Sequence, residues 1–245
     1  MIARSQRGTT LIELLIAVTL VSLLALGMVT AMRVGLNAMT KANDKLIANR
    51  RIASVERILQ AEVEGMMPLR TTCRSTPQAQ GPEFEFFEGR HDEMRFVSSY
   101  SLQESGRGYP RVLEYRVISG ERGEGVRLIV NELFYTGPAS LGQLCSTVEP
   151  DPQTGEAVPQ MRPVEASPIS FVLADRLAYC RIWYRDTLPP PELEQWTPEW
   201  RRSKWPSAVR IEMAPLAADT SRLQLSTVTL PVRVQKVIGV NYEDQ

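Results

Sequence analysis

The side chains in this sequence that could do chemistry are few and scattered. His91 is the only histidine, and Cys73, Cys145 and Cys180 contain no C-x-x-C pair, so no Cys/His zinc set can be assembled. There is no G-x-S-x-G elbow and no phosphate-binding glycine loop, and one histidine leaves little scope for a nucleophile–base pair. VEPDPQTGE (148–156) gathers carboxylates around a glycine. It lacks the D-x-[DN]-x-[DN]-G spacing that a calcium loop needs, and reads as a solvated loop. His91, in EGRHDEM, reads as an exposed turn residue. No catalytic residue, metal ligand or cofactor is expected. The three cysteines admit two readings, one disulfide with a leftover thiol in an oxidising compartment or three small buried hydrophobes.

Two groupings carry more information. PPPELEQWTPEWRRSKWP (189–206) brings together Trp196, Trp200, Trp205, Arg201, Arg202 and Lys204. Interleaved bases and aromatics suit a single-strand nucleic-acid platform, a protein-contact hot spot, or a loop whose tryptophans cover a sheet. The chain has 28 basic and 28 acidic side chains, which argues against nucleic acid and leaves two readings, a loop that covers the sheet and a protein contact with Trp196, Trp200, Arg201 and Trp205 as the candidate partner contacts. The second grouping is RGTTLIELLIAVTLVSLLALGMVTAM (7–32), an apolar run with one carboxylate, Glu13, near its start. An ionised acid inside a membrane helix costs roughly 2.5–3.5 kcal/mol at the centre and less near an end, so such a residue asks for a partner.

The elements that position these residues follow from hydropathy. Leu14 to Met32 is 19 residues without a formal charge, enough to span a bilayer. It exceeds a secretory h-region and no A-x-A-like site follows it, so the anchor is expected to stay. Basic residues lie on both sides of the span and do not orient it. Beyond Arg33 the pattern becomes one-sided, with Met39, Ala42, Leu46, Ile52, Val55, Leu59, Val63 and Met66 at three- to four-residue steps. That is an amphipathic helix, ended by Gly65 and Pro68. From Thr9 to Met66 it would measure ~87 Å, and Gly27 is expected to soften its membrane half. Strand-like alternation then appears at 83–87, 93–99, 111–119, 126–136, 171–186, 207–214 and 225–235. GERGEG (120–125) suits a hairpin, and the Pro- and Gly-rich 136–168 reads as an irregular loop. The expected fold is α+β, with a long amino-terminal helix on one or two antiparallel sheets.

Arg7-Gly8-Thr9-Thr10-Leu11-Ile12-Glu13 ahead of the apolar run resembles the class III signal of type IV pilin-like proteins. The resemblance implies a leader (1–8) cut after Gly8, methylation of Thr9 as the new amino terminus, and Glu13 as the fifth mature residue. Thr9 stands where that family has Phe or Met. The carboxylate would pair with the Thr9 amine of a neighbouring subunit during assembly. The implied organisation is a long helix over 9–67, membrane-spanning at about 11–32, and a periplasmic β-rich domain over 68–245. LAYCRIWYRD, WTPEWRRSKWPSAVRIEM and STVTLPVRV, in that order, are similar to the J-type minor pseudopilins of the type II secretion system, with Trp205 where leucine is usual. The resemblance implies a non-enzymatic tip subunit in the bacterial inner membrane. Its partners would be I- and K-type minor pseudopilins, the major subunit, the prepilin peptidase and the inner-membrane assembly platform. A minor pilin of a type IV pilus or DNA-uptake filament, and an unprocessed single-span protein with a periplasmic binding domain, are the alternatives.

Overall fold

The computed structural model describes residues 10–73, 83–151, 155, 157–187, 194–200, 202, 204–217, 224 and 226–233. The chain divides into two units, Met1–Arg50 and Arg51–Gln245. Helix α1 runs Leu11–Glu64, unbroken across Gly27 and stopped at the glycine that the sequence marks. In the first unit its large apolar side chains are exposed, Met39 and Leu46 of the expected stripe among them. In the second unit the stripe is buried, through Val55, Leu59, Val63 and, just past the helix, Met66.

That buried stripe lies on an antiparallel sheet of eight strands. The strands are β3 (Glu88–Gly89), β4 (Glu93–Ser101), β5 (Gly106–Ser119), β6 (Val126–Phe134), β9 (Phe171–Thr187), β10 (Glu194–Thr197), β11 (Ala208–Pro215) and β12 (Val228–Pro231). Their order is β12-β11-β9-β6-β5-β4-β3, with β10 also paired to β9. The α+β arrangement read from the sequence is therefore the one that forms. β5 and β6 are joined through GERGEG, as their flanking patterns require. Arg122, Gly123 and Gly125 have positive φ in that turn, which the two glycines adopt without steric cost. Of the expected last strand only Val228–Pro231 is seen; Leu225 and residues 234 and 235 lie outside the described set.

Long β9 serves two neighbours in turn. Its first half, from Phe171 to Leu177, pairs with β6, and Leu177 to Arg185 pair with β11. The change falls at a bulge, where Arg176 has φ +55°. The sheet also curls until its far edge returns to β9: the Ile182 amide donates to the His91 carbonyl at 2.9 Å and the Trp200 amide to the Gly89 carbonyl at 2.8 Å. Gly89 is needed there, since a Cβ would lie 2.6 Å from Tyr184 Cζ.

Period-two alternation sends neighbouring residues of one strand into different cores. Phe96, Leu113, Tyr115 and Val130 join Leu59 and Val63 in the main core. Val97 and Val112 join Phe84, Phe86, Leu141 and Met161 in a second core on the other face. The second core corrects the reading of 136–168 as a loop. This stretch forms a short helix α2 (Pro138–Gly142) and a hairpin of β7 (Cys145–Pro150) and β8 (Ala157–Met161). Residues 83–87 contribute β2 (Glu83–Glu85), which pairs with β1 (Arg70–Thr72). Prolines hid the hairpin from pattern reading, and its two strands tolerate them because they form a separate pair with free edges. What holds it is tertiary: Cys73 and Cys145 are joined by a disulfide, with Leu141 and Met161 packed beside it. Cys180 is free and buried, and burial pushes its thiol up to about 12.

The Cys73–Cys145 link closes a loop with a sequence separation of 72. Cys73→Ser, or reduction, is expected to lower the unfolding free energy by about 2–5 kcal/mol, read from guanidinium unfolding of the detergent-solubilised chain with and without reductant. Coincident curves would mean that the link adds nothing to stability.

Candidate functional site

The first unit offers one charged side chain in an apolar setting. Glu13 lies in the first turn of α1, where the positive end of the helix dipole favours an acid. Its amide donates to the Thr10 carbonyl at 3.1 Å, and its side chain is exposed. Gly8 and Thr9 lie outside the described residues. From Leu11 to Met39 the large apolar side chains of the helix are each half or more exposed. The polar groups among them are turned inward: Thr19 donates to Ile16 O at 2.9 Å, Ser22 to Val18 O at 2.8 Å and Thr30 to Leu26 O at 3.0 Å. A helix with bare apolar sides and internally satisfied hydroxyls suits lipid, or packing among similar helices, and not water.

The tryptophan segment is divided by the fold. Trp200 is 6 % exposed and belongs to the main core, where its indole Nε1 donates to Lys204 O at 2.6 Å. Trp205 is half-buried against the same core. Trp196, on β10, faces the other way and carries the Arg210 guanidinium 3.8 Å above its ring. Arg202 and Lys204 flank the buried carboxylate of Asp186, Lys204 Nζ at 2.6 Å. Arg201 lies outside the described residues. His91 is exposed at a bend. Among the described residues no three His, Cys, Asp or Glu side chains are grouped so as to hold a metal.

One residue that sequence reading passed over stands out. Glu62 is fully buried on the stripe between Leu59 and Met66. Tyr115 on β5 donates its hydroxyl to Glu62 Oε2, while Oε1 has no hydrogen-bond partner among the described residues. Desolvation pushes the carboxyl up to about 8; the Tyr115 hydrogen bond pulls the other way, and Glu132 of β6 adds to the rise. Desolvation likewise raises the Tyr115 phenol, with the nearby Glu62 adding to it. Its place on the stripe can be read from the sequence, since Glu62 falls three residues after Leu59 and four before Met66, but its burial cannot. On the opposite face Arg95, 1 % exposed, is held between Glu114, at 2.8 Å, and Glu88.

Residues 3–29 match the family model described as the prokaryotic N-terminal methylation motif. No curated protein matches the chain. The amino-terminal segment is thus a type IV pilin-like prepilin signal, a motif of structural subunits rather than enzymes, and the apolar helix that follows it suits single-pass membrane anchoring.

The buried acid sets a pH dependence. Unfolded Glu62 ionises near 4.5 and folded Glu62 at about 8, so between these values the unfolded state binds fewer protons. Stability should fall across that window by up to about 1.4 kcal/mol per pH unit from this group alone and level off above it. Glu62→Gln, which keeps the shape and removes the titration, should be less pH-sensitive than wild type by that amount in urea unfolding. Parallel pH profiles for the two proteins would show that Glu62 is not held neutral.

Proposed function

We propose that this chain is a minor pseudopilin of a type II secretion system, of the J type. It is cut after Gly8 by a prepilin peptidase, methylated at Thr9, and assembled into a short filament through its apolar helix. The observation that carries the reading is the match to the methylation motif over residues 3–29, a stretch that contains Gly8, Thr9 and Glu13 and runs into a helix whose large apolar side chains are exposed among the described residues. In this scheme the membrane stores the subunit through residues 11–32, and helices of neighbouring subunits replace the lipid on extraction. Glu13 guides that step. Its charge is disfavoured in an apolar setting, and the amine of Thr9 on an adjacent subunit neutralises it there.

The domain organisation proposed is the leader 1–8, the helix 9–67 and a periplasmic domain 68–245, with the span in the bacterial inner membrane. The Cys73–Cys145 disulfide supports an oxidising compartment for the domain. The J-type assignment, with a place at the filament tip beside I- and K-type subunits, is supported by the run of LAYCRIWYRD, WPSAVRIEM and STVTLPVRV. Parts of these segments form β9, β11 and β12, adjacent strands of one sheet. The subunit acts by position and contact and does no chemistry of its own.

Intact-mass spectrometry of the protein purified from cells with the prepilin peptidase tests the first step. The expected chain begins at a methylated Thr9; an intact Met1 overturns the reading. Gly8→Leu should leave the leader attached. Glu13→Ala should be processed normally yet fail to co-purify with the other pseudopilins, and normal assembly would remove the role given to that carboxylate. Co-purification with pilus or DNA-uptake subunits in place of secretion subunits would replace type II secretion by those systems.

A further inference from the structure

The side of the sheet turned away from the main core carries a grouping that assembly through the helix does not use. On β9, Cys180, Ile182 and Tyr184 fill the core, so Tyr179, Arg181, Trp183 and Arg185 point outward. On β11, Val209, Ile211 and Met213 point inward, and Arg210 and Glu212 outward. The register sets Arg210 opposite Trp183, Glu212 opposite Arg181, and Trp196 of β10 opposite Arg185. Aromatic rings and guanidinium groups thus alternate over three adjacent strands.

Several guanidinium groups of the sheet are paired. Arg95, Arg111, Arg116 and Arg127 each hold a carboxylate at 2.7–3.3 Å, and Arg185 holds Glu194 at 3.0 Å. Arg181 and Arg210 have no carboxylate partner among the described residues. Arg210 is stacked on Trp196 at 3.8 Å and Arg181 lies 5.4 Å from the Tyr179 ring. Glu212, the acid within reach, is engaged by the Trp183 indole N–H at 3.1 Å. Stacking on an aromatic face orients a guanidinium and leaves its edge donors free for a carboxylate. Tyr179 and Arg181 are exposed, and Trp183, Trp196 and Arg210 half-buried, so the face is open to a partner.

We infer that the outer face of β10, β9 and β11 docks an extended acidic segment of a protein partner, with carboxylates on alternate residues pairing with Arg181 and Arg210. Backbone spacing suits this ligand. Arg181 and Arg210 are diagonal neighbours on adjacent strands, a relation that separates their Cα atoms by about 7–8 Å. Alternate residues of an extended chain lie roughly 6.6–6.8 Å apart. The indoles of Trp183 and Trp196 flank the two cations and supply the apolar surface against which such a segment lies. A nucleic acid would ask for a broad basic excess, whereas Glu194 and Glu212 stand within this patch.

The test uses the full-length chain in detergent micelles and fluorescence anisotropy of a labelled peptide of alternating glutamate and threonine. Its lysine–threonine counterpart and an oligothymidylate are the other probes. The acidic peptide should bind and weaken as salt is raised. Arg181→Gln or Arg210→Gln should each raise its Kd about tenfold, the worth of one charge-assisted hydrogen bond, while Arg107→Gln on β5 should leave it unchanged. Thermal melting of each variant is measured alongside, and any that melts lower is replaced by its lysine counterpart, which keeps the charge on a smaller head group. Wild-type affinity in both glutamine variants, or equal binding of the lysine peptide, overturns the proposal. Tighter, Arg210-dependent binding of oligothymidylate would overturn it in favour of nucleic acid.

Discussion

The docking of the last turns of α1 onto the inner side of the sheet is the contact on which the second unit depends. Val55, Leu59, Val63 and Met66 meet residues from β4, β5, β6, β9 and β11 in one continuous core. Without that stripe, Phe96, Leu113, Tyr115 and Val130 would face water. The approach is close because α1 ends at a glycine: a Cβ on Gly65 would lie 2.6 Å from Ser98 Oγ. In its absence Ser98 donates to the Glu62 carbonyl at 2.8 Å, the Ser99 amide to Gly65 O at 2.8 Å, and the Met67 amide to Val97 O at 2.8 Å. The helix end is thereby stitched to β4 by hydrogen bonds that also satisfy its last carbonyls.

The same helix carries two carboxylates that answer two different solvents. Glu13 is exposed in the first turn of a segment whose large apolar side chains are also exposed. Glu62 is enclosed by protein and kept neutral by the cost of burying its charge, with Tyr115 donating to one of its oxygens. One is a charge awaiting an environment, the other an acid whose environment has removed the charge. The Arg95 pairs across the sheet follow a third course: both signs are buried together, so each offsets the desolvation of the other.

Much of this was legible in residue patterns. The glycine–glutamate register, the uncharged run to Met32, the stop at Gly65, the GERGEG hairpin and the long strands β4, β5, β6, β9 and β11 rest on local chemistry or on strict periodicity. Four features were not. The β7–β8 hairpin is rich in proline and stands because a disulfide and the second core hold it. The tryptophans at 196, 200 and 205 are of one type at close spacing, yet strand register turns one outward and folds another into the core. Glu62 breaks the apolar stripe, and only a three-dimensional count of neighbours reveals that it does so from inside. Arg181 and Arg210, distant in sequence, become neighbours only through the pairing of β9 with β11.

The sequence by itself determined the kind of protein: a prepilin-type signal, an apolar helix able to span a bilayer, and a strand-rich domain to follow. These are properties of contiguous residues, since cleavage motifs, hydropathy and period-two alternation are all read within one segment of chain. The tertiary structure decided which cysteines join, which carboxylate is buried, and which arginines lack a carboxylate among the described residues. Each of these depends on what lies across a sheet or beneath a helix, where desolvation and cross-strand register act and where distance along the chain carries no information.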